Sequence, residues 1–535
     1  MGGGCELAAR EAGVGIEEPC RVSLPAWIRC SRVPPADAPR KVYVRYSAGP
    51  FVAFLVLWGL TAVIDVVVVG AGPAGLMVAS ELRLAGVHTV VLEKLMEPAG
   101  QSKARGLHVR SIEMLDQRGL LERFRAVADV ADRCNFAGIV KLRPALLDTA
   151  HPYELGIPQA KTEQLLAERA VELAVDIRRG REVVGIQQDD NWVSLDLADG
   201  DQLRARYVVG CDGGHSTVRK LLGVEFPGEA SEQDMLLADV AVTEQPPLGF
   251  SGVGYASLIV CFPLGEGRYR ITVATEDGAQ DRRTPPTFDQ FLARLREVAG
   301  TDFGAHSPRG LSRFGDATRL AEQYRVGRVL LAGDAAHIHV PAAGQGLNLG
   351  LQDAFNLGWK LAAEINGWAP TELLDTYHSE RHPVAARVLA NTRAQKPLLA
   401  ASEQLIPLRD LFSELMDLEQ VNRYLAGMVC GTDIRYDVGG CGHPLMGQRM
   451  RDVQLTGGRL YELMHDGQGL LLDQTGRLDA QSWSDRIRII SDQSPHVDVE
   501  AVLIRPDGHV AHVGGGQDEL DSALHRWFGS PSAGR

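Results

Sequence analysis

The chain has 535 residues, of which 45% are hydrophobic, and it carries a formal net charge of −13. This length allows two to four domains, and this composition is typical of a globular protein. The acidic balance excludes a nucleic-acid-binding protein, which needs a basic surface. The cysteines form no CxxC pair, which argues against a zinc site, a dithiol centre or a disulfide framework. We therefore expect an acidic, cytoplasmic enzyme without a bound metal.

Residues 1–62 are expected to be a disordered, non-core N-terminal extension, because they are rich in Gly, Pro, Arg and Cys and lack a sustained period. The apolar run at 51–60 is shorter than the roughly 20 residues of a membrane helix. A longer apolar segment would have to include Asp65 and the residues of the strand that follows. We expect no stable membrane association and place the functional start near Val63. An amphiphilic anchor at 51–62 is the alternative.

Residues 64–93 have the pattern of an apolar strand, a glycine turn, an amphipathic helix and a second strand that ends in an acid. Gly70 permits the tight turn, Gly72 lets the backbone approach a pyrophosphate, and Gly75 lets the helix pack close to the sheet. The helix N-terminus offers free N–H groups to that pyrophosphate. Glu93 lies 18 residues beyond Gly75, near the usual spacing for an acid that binds a ribose hydroxyl. This stretch predicts a dinucleotide site; a glycine-rich turn in an unrelated α/β protein is the alternative.

Two later buried strands also end in an acid. Asp212 follows the strand near 207–211 and precedes a polar turn and a helix, so it could meet a ligand at the carboxyl edge of the sheet. A helix N-cap is its alternative role. Asp334 ends the strand near 328–333 and could bind a ribitol or ribose hydroxyl. The helix that begins near Leu347 would direct its positive end at the same place, whereas we expect His337 to be an ordinary packed histidine.

The remaining stretches define the domain organisation. Lys103 and Arg105 form a basic loop that could face phosphate or an anionic ligand, or could be solvated charges. Helical spacing follows at 109–125 and 157–176, and paired strands are predicted at 182–187 and 192–197. The block at 230–325 alternates strands with loops and ends with a helix at 287–299. Residues 371–425 are predicted to be helical, and 430–535 to form a small α/β domain.

The three motifs in this order resemble the single-component, FAD-dependent aromatic monooxygenases of the para-hydroxybenzoate hydroxylase type. The likeness runs from about residue 63 to the C-terminus and is closest to hydroxylases of aromatic polyketides and to rifampicin monooxygenases. It implies an α/β fold: a discontinuous Rossmann-like FAD-binding domain at 63–235 and 325–425, a mixed β-sheet substrate domain at 236–324, and a thioredoxin-like C-terminal domain at 430–535 that lacks CxxC.

The resemblance also assigns roles by position. Residues of the glycine turn would line the FAD pyrophosphate, acids would bind its sugar portions, and backbone N–H groups after the last glycine turn would meet the isoalloxazine. Arg105 would lie where the flavin swings and the ligand enters. The cofactor-binding residues implied in this way are Gly70, Gly72, Ala74, Gly75, Glu93, Lys94, Lys103, Gln159, Asp212, Asp334, Gly346, Leu347 and Asn348.

The mechanism implied by the resemblance uses NADPH as a transient co-substrate. NADPH reduces FAD, O2 adds at C4a, and the hydroperoxide delivers one oxygen atom to a small-molecule aromatic substrate. The flavin carries this chemistry, so no catalytic side chain is expected. The first expected reaction is inactivation of a bulky ansamycin of the rifampicin type. Biosynthetic hydroxylation of an anthracycline-type or angucycline-type polyketide is the alternative. Two other classes of function are an FAD oxidoreductase without oxygen insertion and a flavin-containing ligand-binding protein. The expected oligomeric state is a monomer or a homodimer.

One departure from the family pattern concerns the loop beside the flavin. The family usually has two glycines before the Gln-Gly pair, whereas this chain has Ala343 and Gly344. If position 343 has a positive φ, alanine is strained there, because only glycine adopts that region freely.

Overall fold

The computed structural model describes residues 45–48, 51–54, 63–98, 104, 106–252, 254–275, 285–399, 401–440 and 442–532. The chain divides into two compact units, Met1–Ala62 and Val63–Arg535. In the first unit, strands β1 (Arg45–Ala48) and β2 (Phe51–Phe54) pair antiparallel. The rest of the expected extension, including most of its apolar run, lies outside the described residues. In the described part of the chain, no helix has the length and apolarity needed to span a bilayer.

The second unit begins with alternating strands and helices. In chain order up to residue 229 these are β3 (Ile64–Val69), α1 (Pro73–Leu84), β4 (Thr89–Glu93), β5 (Gly106–Leu107), α2 (Val109–Asp116), α3 (Leu121–Arg125), β6 (Asp129–Ala131), β7 (Cys134–Phe136), β8 (Ile139–Leu142), a 3-10 helix (Pro144–Leu146), β9 (Glu154–Gly156), α4 (Gln159–Glu172), β10 (Asp176–Arg179), β11 (Val183–Gln188), β12 (Val193–Leu197), β13 (Gln202–Gly210), α5 (Thr217–Leu221) and β14 (Gly228–Glu229).

The next elements form the middle of the unit and the return of the chain to the first sheet. They are β15 (Asp234–Ala241), β16 (Gly249–Ser251), a 3-10 helix (Tyr255–Ser257), β17 (Ile259–Gly265), β18 (Arg268–Ala274), α6 (Phe288–Ala299), β19 (His306–Gly315), β20 (Thr318–Leu320), β21 (Arg325–Val326), β22 (Val329–Leu331), a 3-10 helix (Gly333–Ala335), β23 (His337–Ile338), α7 (Gln345–Asn366), α8 (Thr376–Leu399), α9 (Ile406–Leu415) and α10 (Glu419–Cys430).

The last elements form the C-terminal part. They are β24 (Gln454–Leu455), β25 (Gly458–Arg459), a 3-10 helix (Leu460–Met464), β26 (Gly469–Asp473), a second 3-10 helix (Gln481–Trp483), β27 (Ile487–Ser491), β28 (Ala501–Ile504), β29 (Val510–Val513) and α11 (Gln517–Phe528).

The main sheet has eight strands in the order β10-β4-β3-β13-β12-β11, with β22 pairing β13 and β21 pairing β22. Strands β10, β4, β3, β13 and β22 run parallel. Strand β3 is buried along nearly all of its length, as expected of a parallel strand covered on both faces. Its carboxyl end therefore lies at the same edge as the ends of β4, β13 and β22, where doubly wound sheets bind ligands.

A separate five-stranded sheet covers much of the expected substrate domain, in the order β16-β17-β18-β15-β19. We expected a mixed sheet, but its four pairings are all antiparallel. Helix α6 packs on it through the buried Phe291 and Leu295. This helix begins after Thr287 with a capping box, in which the Thr287 side chain accepts from Gln290 N and the Gln290 side chain accepts from Thr287 N.

The C-terminal part has a four-stranded sheet in the order β27-β26-β28-β29, in which only β26 and β27 are parallel. Helix α11 packs against it through Leu520, Leu524 and Phe528. Trp359 of α7 belongs to the same hydrophobic core. The C-terminal domain is therefore built onto the long helices that follow the third motif.

Candidate functional site

The first glycine turn lies directly after β3, and its geometry requires glycine at two positions. Gly70 has φ +109°, and a Cβ there would lie 2.4 Å from the Cys211 carbonyl oxygen. A Cβ at Gly75 would lie 2.0 Å from the Gly70 carbonyl oxygen. At Gly72, by contrast, a Cβ would have no protein atom within 4 Å. Two glycines thus serve packing within the protein, and Gly72 faces open space, as expected where a backbone approaches a ligand.

The N-terminus of α1 has the features of an anion-binding site. Gly72 is its N-cap and Pro73 its first residue, and no side chain of the described residues caps it. The first N–H groups of a helix have no partner inside the helix, so those of Ala74 and Gly75 are available to an anionic ligand. The expected pyrophosphate position therefore has both the donors and the space it needs.

Glu93 ends β4 beside this turn, as the spacing predicted. Its Oε2 accepts a hydrogen bond of 2.9 Å from Ala71 N, and its Oε1 accepts one of 2.9 Å from Leu95 N. These bonds hold the carboxylate against the glycine turn, 22 residues earlier in the chain. Lys94 follows as an exposed residue. The acid thus lies beside the glycine turn, and its contact with a ribose remains a prediction.

Asp212 caps a helix in this structure. Its Oδ2 accepts hydrogen bonds from Thr217 N at 2.7 Å and Val218 N at 3.1 Å, and its Oδ1 accepts one from Ser216 Oγ at 2.5 Å. The N-cap residue of α5 is Ser216, whose side chain accepts from Arg219 N, and Asp212 accepts from the N–H groups that follow it; the sequence had left an N-cap role for Asp212 itself as the alternative. Its predicted contact with a cofactor remains a prediction, whereas the neighbouring Cys211 backbone packs directly on Gly70.

Asp334 lies in the turn after β22 and is exposed. The backbone next to it is fixed by a residue that sequence reasoning did not select. The buried Asp353 of α7 accepts a hydrogen bond from Gly333 N at 3.2 Å and one from His337 Nε2 at 2.6 Å. Burial alone would raise the pKa of Asp353, but His337 and Arg381 hold that pKa below its usual value. Asp353 thereby positions the turn that carries Asp334.

The only feature of the sequence that points to Asp353 is that an acidic residue lies within a long, mostly apolar helix. Its second partner, Arg381 of α8, donates from Nε to Oδ1 at 2.8 Å, and both side chains are fully buried. Arg381 also donates to the hydroxyl of Tyr436 at 3.0 Å. These residues are far apart in the chain, so no local pattern links them. His337 is packed in the core, as we expected of it.

The loop before α7 contains two consecutive residues with left-handed backbone. Ala343 has φ +51° and Gly344 has φ +66°. Ala343 therefore has the positive φ at which alanine is strained. Gly344 is the N-cap of α7, and no side chain of the described residues caps this helix. The N–H groups of Gly346 and Leu347, in the first turn, are consequently available to a ligand.

The side chain of Asn348 is occupied within the protein. Its Oδ1 accepts hydrogen bonds from His108 N at 2.9 Å and Ser111 Oγ at 2.7 Å. Its Nδ2 donates to the carbonyl oxygens of Gly106 at 3.1 Å and Gly344 at 2.9 Å. Asn348 thus joins the third motif to the segment after the basic loop. Any contact with a flavin would have to come from its backbone, as the resemblance implied.

Gln159 starts α4 and holds the other end of the basic loop. Its Oε1 accepts from Ala104 N at 3.1 Å, and its N–H donates to the Ala104 carbonyl oxygen at 3.0 Å. Lys103 and Arg105 themselves lie outside the described residues, so their predicted roles remain predictions.

The three motifs converge on one edge of the main sheet. In the parallel registers, Val69 is paired with both Leu92 and Gly210, and Gly210 with Leu331. A Cβ at Gly333 would lie 3.0 Å from Ala74 Cβ, so the third turn packs on α1. Two helix N-termini that no described side chain caps and two acids therefore lie at this edge, and this arrangement fits an extended dinucleotide such as FAD.

Comparison with known proteins agrees with this geometry. Residues 63–392, more than half of the chain, match a family model described as an FAD binding domain, and residues 443–531 match one described as an aromatic-ring hydroxylase C-terminal domain. The chain belongs to the FAD-dependent aromatic-ring monooxygenases.

Individual relatives match most of this chain and nearly all of their own length. The rifampicin monooxygenase of Streptomyces venezuelae is 58% identical over 475 residues, 88% of this chain and 100% of that protein. The rifampicin monooxygenase of Rhodococcus hoagii is 53% identical over 88% of this chain and 99% of its own length. The structure of the anhydrotetracycline hydroxylase OxyS from Streptomyces rimosus superposes with a TM-score of 0.82 at 45% identity, covering 88% of this chain and 99% of that chain.

Proposed function

We propose that this monooxygenase uses NADPH and O2 to insert one oxygen atom into a bulky aromatic polyketide or ansamycin, with rifampicin-like ansamycins as the first substrate class. The biological role of the enzyme would then be to inactivate such an antibiotic. Biosynthetic hydroxylation of an anthracycline-type or angucycline-type polyketide is the alternative. The observation that carries the first choice is the 58% identity to a rifampicin monooxygenase along that relative's whole length. The 45% identity to an anhydrotetracycline hydroxylase supports the alternative.

FAD would supply the redox and oxygen chemistry when bound, and the protein would bind it and orient it. The N-terminus of α1 would hold the pyrophosphate, Glu93 the adenosine ribose, and Asp334 the ribityl portion. The N-terminus of α7 would direct the N–H groups of Leu347 and Asn348 at the isoalloxazine, where its positive end stabilises negative charge. Lys103, Gln159 and Asp212 would complete the cofactor site, and Arg105 would act where the ligand enters.

We further propose that the antiparallel sheet within 236–324 covers the substrate and excludes water from it. NADPH would bind transiently, because the chain has one glycine fingerprint of the dinucleotide type and FAD would occupy it. The FAD-binding domain would comprise 63–235 and 325–425, and the thioredoxin-like domain 430–535. We also propose that the protein is cytoplasmic and is a monomer or a homodimer.

The test begins with purified full-length protein and its bound cofactor, identified by absorbance and mass. NADPH oxidation is then measured with rifampicin, with an anthracycline precursor and without substrate, under 18O2. We expect rifampicin to stimulate NADPH oxidation most and to gain one 18O atom. Stimulation by the polyketide alone would favour the biosynthetic alternative. NADPH oxidation without 18O in any product would contradict oxygen insertion into these compounds.

A further inference from the structure

A cluster of potential metal ligands packs in one hydrophobic core with Ala343 of the loop before α7. It contains Cys134 of β7, Glu154 of β9 and Cys430 at the end of α10, and one ligand atom from each lies within 4.8 Å of the others. Both cysteines are buried, and the Glu154 side chain is only 16% exposed. A fourth potential ligand, His108 Nε2, lies 3.3 Å from Glu154 Oε1 and is itself buried.

Two distances in this cluster match a tetrahedral zinc site. The two Sγ atoms are 3.8 Å apart. Two Zn–S bonds of about 2.3 Å at the tetrahedral angle place their sulfurs about 3.8 Å apart. Zn–N and Zn–O bonds of about 2.0 to 2.1 Å place those ligand atoms about 3.3 to 3.4 Å apart, and the His108–Glu154 distance is 3.3 Å. His108 is not in the set of ligand atoms that all lie within 4.8 Å of one another, so its ring would have to turn toward the two sulfurs to complete the site.

The ligand types in the cluster also suit a cation. Glu154 Oε1 accepts no hydrogen bond from the described residues. Of the described basic side chains, His108 alone comes within ion-pair distance of Glu154. A buried carboxylate beside two thiols needs a compensating positive charge or must stay protonated. Thiolate, carboxylate and imidazole are all ligands that Zn2+ accepts.

We propose that Cys134, Glu154, Cys430 and His108 bind one zinc ion. Four protein ligands would fill its coordination sphere, so the ion would be structural. The absence of a CxxC pair led us to expect no zinc, but that signal detects only ligands that are neighbours in sequence. Here the two cysteines are separated by 296 positions. The ion would anchor His108, whose N–H donates to Asn348, and thus the segment that meets the start of α7.

The test uses full-length, reduced protein. Zinc is measured by elemental analysis after removal with a chelator and reloading, and Co2+ replaces it as a spectroscopic probe. We expect one zinc per chain and a thiolate-to-cobalt charge-transfer band in the unsubstituted protein. Cys430→Ala and Glu154→Gln should lose stoichiometric zinc. Cys261→Ala, which removes a buried thiol from β17, should retain it.

Several outcomes would overturn the proposal. A folded, reduced, unsubstituted protein without stoichiometric zinc and without the cobalt band excludes the site, whatever the variants do. Equal zinc loss in Cys261→Ala and Cys430→Ala means that the ion binds elsewhere. A Cys134–Cys430 disulfide that persists in peptide maps of the protein purified without reductant identifies the pair as a redox site instead.

Discussion

The Asp353 carboxylate lies 2.6 Å from His337 Nε2, and both side chains are completely buried. Asp353 also accepts hydrogen bonds from Gly333 N and Arg381 Nε. One carboxylate therefore links α7, α8 and the turn that presents Asp334. A buried charge is tolerated only when it is paired and hydrogen-bonded, so this residue combines stability with the geometry of the cofactor site.

Asp353→Asn should be strongly destabilising. It removes the charge that compensates Arg381, and breaking a buried ion pair costs about 3 to 5 kcal/mol of unfolding free energy. Urea unfolding followed by circular dichroism measures the change, and bound FAD should fall with it. Asp375→Asn is the matched control, because Asp375 pairs with Arg325 but its side chain is 68% exposed. Its cost should stay below about 1 kcal/mol, and equal costs in the two variants would contradict this account.

Ala343→Gly should leave FAD binding intact and should not reduce turnover. Ala343 has φ +51°, and glycine relieves left-handed strain of about 1 kcal/mol. Unfolding free energy, FAD content and the rate of NADPH oxidation are the measurements. Ala342→Gly is the control: its φ is not positive, so glycine there should cost about 1 kcal/mol through the entropy of the unfolded chain. A large loss of turnover in Ala343→Gly would show that alanine is adapted to its site.

Gly72→Ala should weaken FAD binding without unfolding the protein. A Cβ there meets no protein atom within 4 Å, so the apoprotein should lose less than about 1 kcal/mol of stability. The methyl group would occupy space that a pyrophosphate needs, and we expect at least about a tenfold loss of affinity. Flavin fluorescence titration of the apoprotein measures it. Gly457→Ala, at another glycine with open surroundings, should leave affinity unchanged; a similar loss there would disprove the specific effect.

Stability should depend on pH through Glu380, which lies between Arg505 and Lys360 in the core. Burial would raise the pKa of Glu380, but the charges of Arg505 and Lys360 lower it to about 2. Because this folded-state pKa is below the unfolded one, the stabilisation is complete above about pH 4.5 and is lost as the pH falls toward 2.

Glu380→Gln should therefore cost about 3 to 5 kcal/mol at neutral pH. The difference from the unsubstituted protein should shrink as the pH falls from about 4.5 toward 2, because the unfolded chain and then the folded protein take up a proton at Glu380. Urea unfolding at several pH values measures the difference. The exposed Glu372→Gln is the control and should show little change at any pH. A cost for Glu380→Gln that stays constant down to acid pH would argue against this charge interaction.

The sequence by itself determined the elements and the class of cofactor site. The strand near 501–504 and the paired strands near 182–197 were predicted because alternation and apolar runs are local properties. The tight turn at Gly70 was predicted because the chemistry of a turn depends on adjacent residues, whereas the cofactor contacts of Gly70 and Gly72 stay predictions. The position of Glu93 beside the turn was predicted because one strand and one helix set its spacing from that turn, and its ribose contact stays a prediction.

Only the tertiary structure decided which polar side chains meet. Asp212 was predicted as a ligand residue with a helix cap as its alternative, and only the structure shows that its carboxylate accepts from the first N–H groups of α5. Asp353, which holds the turn beside Asp334, was not selected, because its partners lie on other elements. Cys134 and Cys430 come together across 296 positions. Pairing of buried charges and ligands depends on how distant segments pack, and neither composition nor periodicity encodes that contact.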